Sequence, residues 1–250
     1  MKEYHKIETL YERDEKTKKL IIGKFRNPMV EFLRNCDWEF TEKVDGTNIR
    51  VYWDGHKVTF GGRTDKAEIP KHLLEKLEQL FGGYVNEEIF EQRFGDKEVM
   101  LFGEGYGTKI QGCGSQYRDD VDFILFDVMI CGYWQPRIAV EQIAKYFNID
   151  VCPILLTGTI QQGVEYVMNN RQSAVAKNGA ELEGVVGRPK IEIQDRAGNR
   201  VIVKIKHRDF TDMDWEDALK NRPEMLVKLK SEGFDAVYTD YKKYIEENNK

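Results

Sequence analysis

Between Trp38 and Phe60 the chain carries three strand-like runs, residues 38–43, 47–53 and 57–60, with gaps of only three residues between them. A parallel crossover needs a dozen residues or more, so spacings this short favour antiparallel pairing over a βαβ repeat. Ile49, Val51 and Trp53 alternate with polar residues, and Asp54-Gly55 supplies a hairpin turn before the third run. Strands and helices are mixed along the rest of the chain. Residues 9–14 and 19–25 read as short strands around a polar turn, and Asn27-Pro28 starts a helix, Asn as cap and Pro at the first helical position. Residues 70–81 put Leu73, Leu74, Leu77, Leu80 and Phe81 on one helical face before Gly82-Gly83 ends it, and a second helix runs over 86–94. Residues 99–102 and 123–130 are apolar runs of buried-strand type. Helices are expected over 136–147 and 163–177, and strands over 182–186, 190–194 and 200–205. From residue 211 the pattern is mostly helical. The fold class is α+β.

With 250 residues, the chain has room for one large domain, or one domain and a small appendage. A hydrophobic fraction of 41% and a charged fraction of 32% exclude a disordered chain. No apolar run approaches a membrane span, and Met1-Lys2-Glu3-Tyr4-His5 lacks the apolar core of a signal peptide, so no membrane partner and a cytoplasmic location are expected. Cys36, Cys113, Cys131 and Cys152 form no CxxC pair, and the histidines show no HExxH spacing, so a protein-built zinc site is not expected. The net charge of −5 does not by itself favour nucleic acid, but it is unevenly spread: residues 1–36 hold nine Lys/Arg against six Asp/Glu, and residues 211–250 seven against ten.

Four signals, spread over five segments, carry chemistry. In Glu42-Lys43-Val44-Asp45-Gly46-Thr47-Asn48 a lysine stands at a sheet edge beside a turn. With a pKa of ~10.4, on the order of one lysine in a thousand is unprotonated at neutral pH, so a nucleophilic lysine needs desolvation or neighbouring cations. Taken alone, this segment fits a surface lysine before a hairpin turn equally well. In Val203-Lys204-Ile205-Lys206 the period of two places both lysines on one strand face, with Val201, Val203 and Ile205 on the other. Two adjacent cations are accommodated when an anion lies over them, and a triphosphate is the obvious candidate. Glu104 and Glu183 are carboxylates flanked by glycine at strand ends, suited to ribose hydroxyls or to Mg²⁺ through its waters. Phe126, next to Asp127, could stack on a purine, although alone it reads better as a core phenylalanine.

In this order the segments resemble the covalent nucleotidyltransferase superfamily of ligases and capping enzymes: Lys43-Val44-Asp45-Gly46, the glutamate segment around Glu104, the aromatic strand at Phe126, Glu183-Gly184-Val185-Val186, and Val203-Lys204-Ile205-Lys206. Within it the chain looks most like the phage-type RNA ligases that seal nicks in duplex RNA. Asn48 and Arg63 fall at that family's positions, and the lysine motif lies close to the N-terminus. The resemblance implies an adenylyltransferase fold of mainly antiparallel sheets with flanking helices over residues 1–210, and a short helical appendage over 211–250. It implies that Lys43 attacks ATP. Glu42, Asn48, Arg63 and Glu104 would contact the adenylate, and Phe126 would stack on adenine. Glu183 would support Mg²⁺, with Mn²⁺ as a substitute. Lys204 and Lys206 would hold the α-phosphate and promote loss of pyrophosphate, and Asp127 would serve the end-joining steps. The implied partner is RNA with 3′-hydroxyl and 5′-phosphate ends, as a nicked duplex, bound by a monomer. The rival expectations are an ATP-dependent DNA ligase, a GTP-using capping enzyme and a non-catalytic relic of the fold. The 44 residues after Lys206 are too few for the appended domain of the first two, and the retained lysines oppose the third.

Overall fold

The hairpin expected around Asp54-Gly55 forms, with Thr47–Trp53 pairing antiparallel to Val58–Gly61. The computed structural model describes residues 1–211. In chain order its first half comprises β1 (Glu8–Thr9), β2 (Tyr11–Arg13), β3 (Leu20–Phe25), α1 (Pro28–Phe32), β4 (Trp38–Glu42), β5 (Thr47–Trp53), β6 (Val58–Gly61), α2 (Lys71–Phe81) and α3 (Gly83–Phe94). Then follow β7 (Val99–Gly107), α4 (Gly114–Tyr117), β8 (Val121–Ile130), β9 (Tyr133–Trp134), α5 (Arg137–Tyr146), β10 (Asp150–Val151), β11 (Ile154–Gly158), α6 (Ile160–Asn169), β12 (Gly184–Pro189), β13 (Val203–Lys206) and α7 (His207–Thr211). The helical appendage expected over 211–250 lies outside the described residues apart from Thr211. No helix among the described residues is long and apolar enough to cross a membrane.

The chain divides into two compact units. One comprises Met1–Lys6, Val44–Pro153 and Ser173–Glu181; the other comprises Ile7–Lys43, Ile154–Gln172 and the chain from Leu182. β4 and β5, close neighbours in sequence, therefore enter different sheets. The second unit holds a five-stranded sheet in the order β1-β13-β12-β4-β11 and the β2-β3 hairpin. All its five-stranded pairings are antiparallel except β1 with β13. Its core gathers Trp38, Phe40, Val185, Val203 and Ile205 with Ile160, Val164 and Val167 of α6. Burial of such side chains stabilises by roughly 1.5–3 kcal/mol each relative to exposure.

The first unit holds a six-stranded sheet in which β10, β8, β7, β5 and β6 are neighbours and β9 adds to β8. Ile49, Val51, Leu101, Phe123 and Leu125 pack on Leu73, Leu77 and Phe81 of α2 and Phe90 of α3. That leaves a second face, which carries Asn48 and Glu104 and, in part, a smaller cluster of Val44, Tyr106, Tyr117 and Ile124. Phe102 is opposite Asp127 and Gly103 opposite Leu125, so Phe126 is the extra residue of a β-bulge. The bulge reverses the alternation of β8. Before it Phe123 and Leu125 face the helices; after it Val128 does. Phe126 and Asp127, which a regular strand would send to opposite faces, share the second one.

Several boundaries differ from the sequence expectation for local reasons. Asn27 caps α1 as expected, accepting from the Met29 N–H at 2.8 Å. α3 starts at Gly83 rather than Asn86, because the Asn86 amide donates back to the carbonyls of Gln79 and Gly82 and ties the two helices at their joint. α6 starts at Ile160 because Thr159 and Gln162 form a reciprocal capping box. It ends by Asn169, well short of 177, where the Ser173 hydroxyl accepts from the N–H groups of Val175 and Ala176 in place of helical carbonyls. β7 continues through Gly103 to Gly107, since a Cβ on Gly103 would lie 2.2 Å from the Phe123 ring and only glycine lets that ring close on the strand. The strand expected over 190–194 does not form. One bridge joins Gln194 to Arg200, Ile191 is 78% exposed, and Asp195 spends its carboxylate on the turn N–H groups of Ala197 and Asn199.

Candidate active site

Register brings three strand ends together in the five-stranded sheet. Lys43 immediately follows β4, and its N–H donates to the Gly184 carbonyl at 2.9 Å. Glu183 immediately precedes β12, and Gly184 stands opposite Lys206 at the end of β13. Lys43 Nζ donates to Glu183 Oε2 at 2.5 Å, and Lys206 Nζ donates to Oε1 at 2.6 Å. The three side chains are 24%, 17% and 15% exposed in the order Lys43, Glu183, Lys206, so water screens them only partly. Burial pushes the Glu183 carboxyl up, but Lys43 and then Lys206 outweigh it and hold the group below the ordinary glutamate value. In the protein alone, Lys206 of the β13 lysine pair meets Glu183, which it shares with Lys43 rather than with Lys204. Lys204 shares the Lys206 face of β13, opposite Val186 and beside Thr9, while Val203 and Ile205 are buried on the other side. Glu42 closes β4 opposite Val185 and is 2% exposed. Glu183 precedes its strand, where the sequence places it inside one, because pairing with β4 and β13 begins only at Gly184 and Val185.

In the other unit the turn after Lys43 is braced by residues that the sequence does not single out. The Tyr117 hydroxyl accepts from the Asp45 N–H at 3.2 Å, the Cys113 thiol donates to Asp45 Oδ2 at 3.0 Å, and the Gln111 amide donates to the Gly46 carbonyl at 3.0 Å. A Cβ on Gly46 would sit 2.3 Å from the Gly105 carbonyl oxygen and 2.8 Å from Glu104 Cγ, so the turn passes directly over β7. The only advance signal is Gly46 itself; Gln111, Cys113 and Tyr117 lie in a segment without periodicity.

The second face of the six-stranded sheet holds the remaining candidates but one. Asn48 and Glu104 are direct cross-strand partners. Glu104 lies inside β7, not at its end, because the strand runs on through the glycines. Asn48 Oδ1 is buried and has no hydrogen-bond partner among the described residues, an acceptor poised for a donor that a ligand can supply. Phe126 is half-buried at the bulge, and Asp127 is fully buried beside it. Arg63 stands exposed in the turn after β6. The structure thus gathers Lys43, Glu183 and Lys206 in direct contact, with Lys204 on the same strand face, and sets Asn48, Glu104, Phe126 and Asp127 on one sheet face of the other unit. No cluster of three or more His, Cys, Asp or Glu gathers among the described residues. Glu183, the carboxylate expected to support a divalent ion, is already shared by two lysines.

The mainly antiparallel α+β architecture is of the class found in RNA ligases of the nucleotidyltransferase fold. A family model described as RNA ligase matches residues 37–206, more than half of the chain, and the chain belongs to that family. No curated protein sequence gives a significant match. Among solved structures it is similar to a lysine-to-alanine variant of Naegleria gruberi RNA ligase with ATP and Mn, at 20% identity and a TM-score of 0.54, over 73% of this chain and 54% of that one. An arginine-to-alanine variant with ATP and Mn matches at 18% identity and a TM-score of 0.56, over 88% and 58%. The same ligase with PPi matches at 19% identity and a TM-score of 0.54, over 79% and 55%. The chain spans little more than half the length of these relatives, and at such identity the likeness is one of fold.

Proposed function

We propose that the chain is an ATP-dependent RNA ligase that works through a lysyl-AMP intermediate, with Lys43 as the nucleophile. The observation that carries this reading is the Glu183 carboxylate held between Lys43 and Lys206. Two ammoniums that share one carboxylate form a site for a larger anion, and an incoming triphosphate competes with Glu183 for both. Once its ammonium has released a proton to solvent, the Lys43 Nζ lone pair forms a bond to the α-phosphorus as the bond to pyrophosphate breaks. The second proton shed by the nitrogen as the phosphoramidate forms also goes to solvent. Lys204 and Lys206 stabilise the charge that develops on the non-bridging oxygens. Glu183, once displaced, would hold a Mg²⁺ ion, or Mn²⁺ in its place, and that ion would supply further neutralisation of the phosphates. Asn48 and Glu104, with Phe126 as the stacking surface and Arg63 and Glu42 in support, would bind the adenylate; the buried Asn48 oxygen fits a hydroxyl or amine donor of the nucleoside.

AMP then passes from Lys43 to an RNA 5′-phosphate, forming a 5′-5′ pyrophosphate. A 3′-hydroxyl oxygen bonds to the 5′-phosphorus, AMP leaves with the electrons of the broken anhydride bond, and the hydroxyl proton goes to solvent. Asp127 serves this joining stage. The substrate is a 3′-hydroxyl, 5′-phosphate junction, as a nick in duplex RNA, repaired by a monomer in the cytoplasm. One experiment tests the reading in stages. Labelled ATP should mark the wild-type chain and labelled GTP should not. Lys43→Ala should take no label yet retain sealing of RNA already adenylated at its 5′ end. Full labelling of Lys43→Ala removes the nucleophile assignment, and equal sealing of RNA and all-DNA nicks removes the RNA assignment.

A further inference from the structure

The N-terminal segment Met1–Lys6 packs within the unit that carries the six-stranded sheet, and contacts of Met1 and Tyr4 are among those that tie it there. The Met1 carbonyl accepts from Arg50 Nη1 at 3.1 Å, and the same guanidinium donates to the Gly62 carbonyl at 2.6 Å and to Asp65 at 2.8 Å. Gly62 immediately precedes Arg63. The Tyr4 hydroxyl donates to Asp127 Oδ2 at 2.6 Å, in a buried contact. The Tyr4 ring stands edge-on to Phe126 at 5.1 Å and to Trp134 at 5.7 Å, and tilted against Phe102 at 5.0 Å. One side chain therefore touches both residues of the β8 bulge. Phenylalanine at position 4 would fill the same aromatic cluster, so the hydroxyl's particular contribution is its bond to Asp127. A fully buried carboxylate depends on such donors for both charge and orientation.

We propose that Tyr4 is a positioning residue for the joining stage: its hydroxyl fixes the Asp127 carboxylate beside Phe126, so the N-terminal segment sets the geometry in which a 3′-hydroxyl meets the adenylated 5′-phosphate. The inference rests on the ligase reading and on the joining role given there to Asp127. Tyr4 acts through Asp127, and the Tyr4 ring, which backs Phe126, matters separately for the adenylate.

The test is Tyr4→Phe in the full chain, with each stage measured alone. Sealing of pre-adenylated RNA should fall about tenfold in kcat, the scale of one hydrogen bond to a charged group. KM for that RNA should stay unchanged, and lysyl-AMP formation should stay within about twofold, because the ring remains. Tyr4→Leu, which removes the ring as well, should slow lysyl-AMP formation too. Wild-type sealing by Tyr4→Phe overturns the proposal. So does a parallel loss of both stages that tracks a fall in folded protein, which is the outcome for a merely structural tyrosine. A wild-type chain that takes no label from ATP overturns the ligase reading itself, and the wild-type control tells that failure apart from the failure of Tyr4.

Discussion

Replacing Glu183 by Gln isolates what the shared carboxylate contributes. The amide keeps the shape of the side chain but leaves Lys43 and Lys206 facing a neutral group, where they previously met one carboxylate at 2.5 and 2.6 Å. A hydrogen bond to a charged group contributes ~1.5–3 kcal/mol, and the amide oxygen still accepts from one lysine, so a net loss of about 2 kcal/mol is expected. For a chain of this size that lowers Tm by roughly 4–8 °C. The sign of the pH dependence follows from the depressed carboxyl of Glu183. Its stabilisation is fully present above the ordinary glutamate value of 4.5 and is lost as pH falls through the lower value of the folded state. Gln does not titrate. The gap in Tm between wild type and Glu183→Gln should therefore hold steady from neutral pH to about 5 and close below 4.5. Thermal unfolding of both chains across that range reads it directly. Equal Tm values at neutral pH, or a gap that persists undiminished in acid, would refute the reasoning.

Two further substitutions probe the frame around the site. Gly46→Ala puts a methyl 2.3 Å from the Gly105 carbonyl oxygen, a backbone atom that cannot step aside cheaply. It should cost about 1–3 kcal/mol and slow labelling by ATP at least tenfold; unchanged labelling kinetics would show that the turn tolerates displacement. Thr159→Ala removes one arm of the α6 capping box, should lower stability by about 1 kcal/mol and Tm by roughly 2–4 °C, and should leave labelling kinetics intact. Calorimetry alongside the labelling assay checks both.

What the sequence makes legible follows from the range of each signal. The common face of Lys204 and Lys206 is a period-two pattern over four residues, and β13 displays it with Val203 and Ile205 buried behind. The Asn27 cap is equally local. The contact of Lys43 with Glu183 spans 140 residues and depends on the register of β4 with β12, which no local pattern states. Tyr4 escapes for a similar reason, since a six-residue segment has no periodicity to read and its partner Asp127 is 123 residues away. The α6 start was encoded in Thr159 and Gln162, but the apolar spacing after Gly163 directs attention downstream. The bulge at Phe126 is hidden inside a continuous apolar run, Phe123-Ile124-Leu125-Phe126, that reads alike in either parity.

That bulge gives β8 two reading frames, and chain length at this point is as consequential as side-chain identity. Deleting Phe126 would let the ladder with β7 zip into a regular strand in which Leu125, Asp127 and Val128 keep their faces, at the loss of the extra second-face side chain. Deleting any other residue of β8 would oblige the side chains on one flank to change sides or the pairing to slip. Inserting one would do the same in the opposite sense. Most strands accept length changes in the loops beyond their ends, but the middle of β8 does not have that latitude. Relatives that keep the arrangement should show gaps in their alignments before Val121 or after Ile130 and none between, even where the residues themselves have been exchanged.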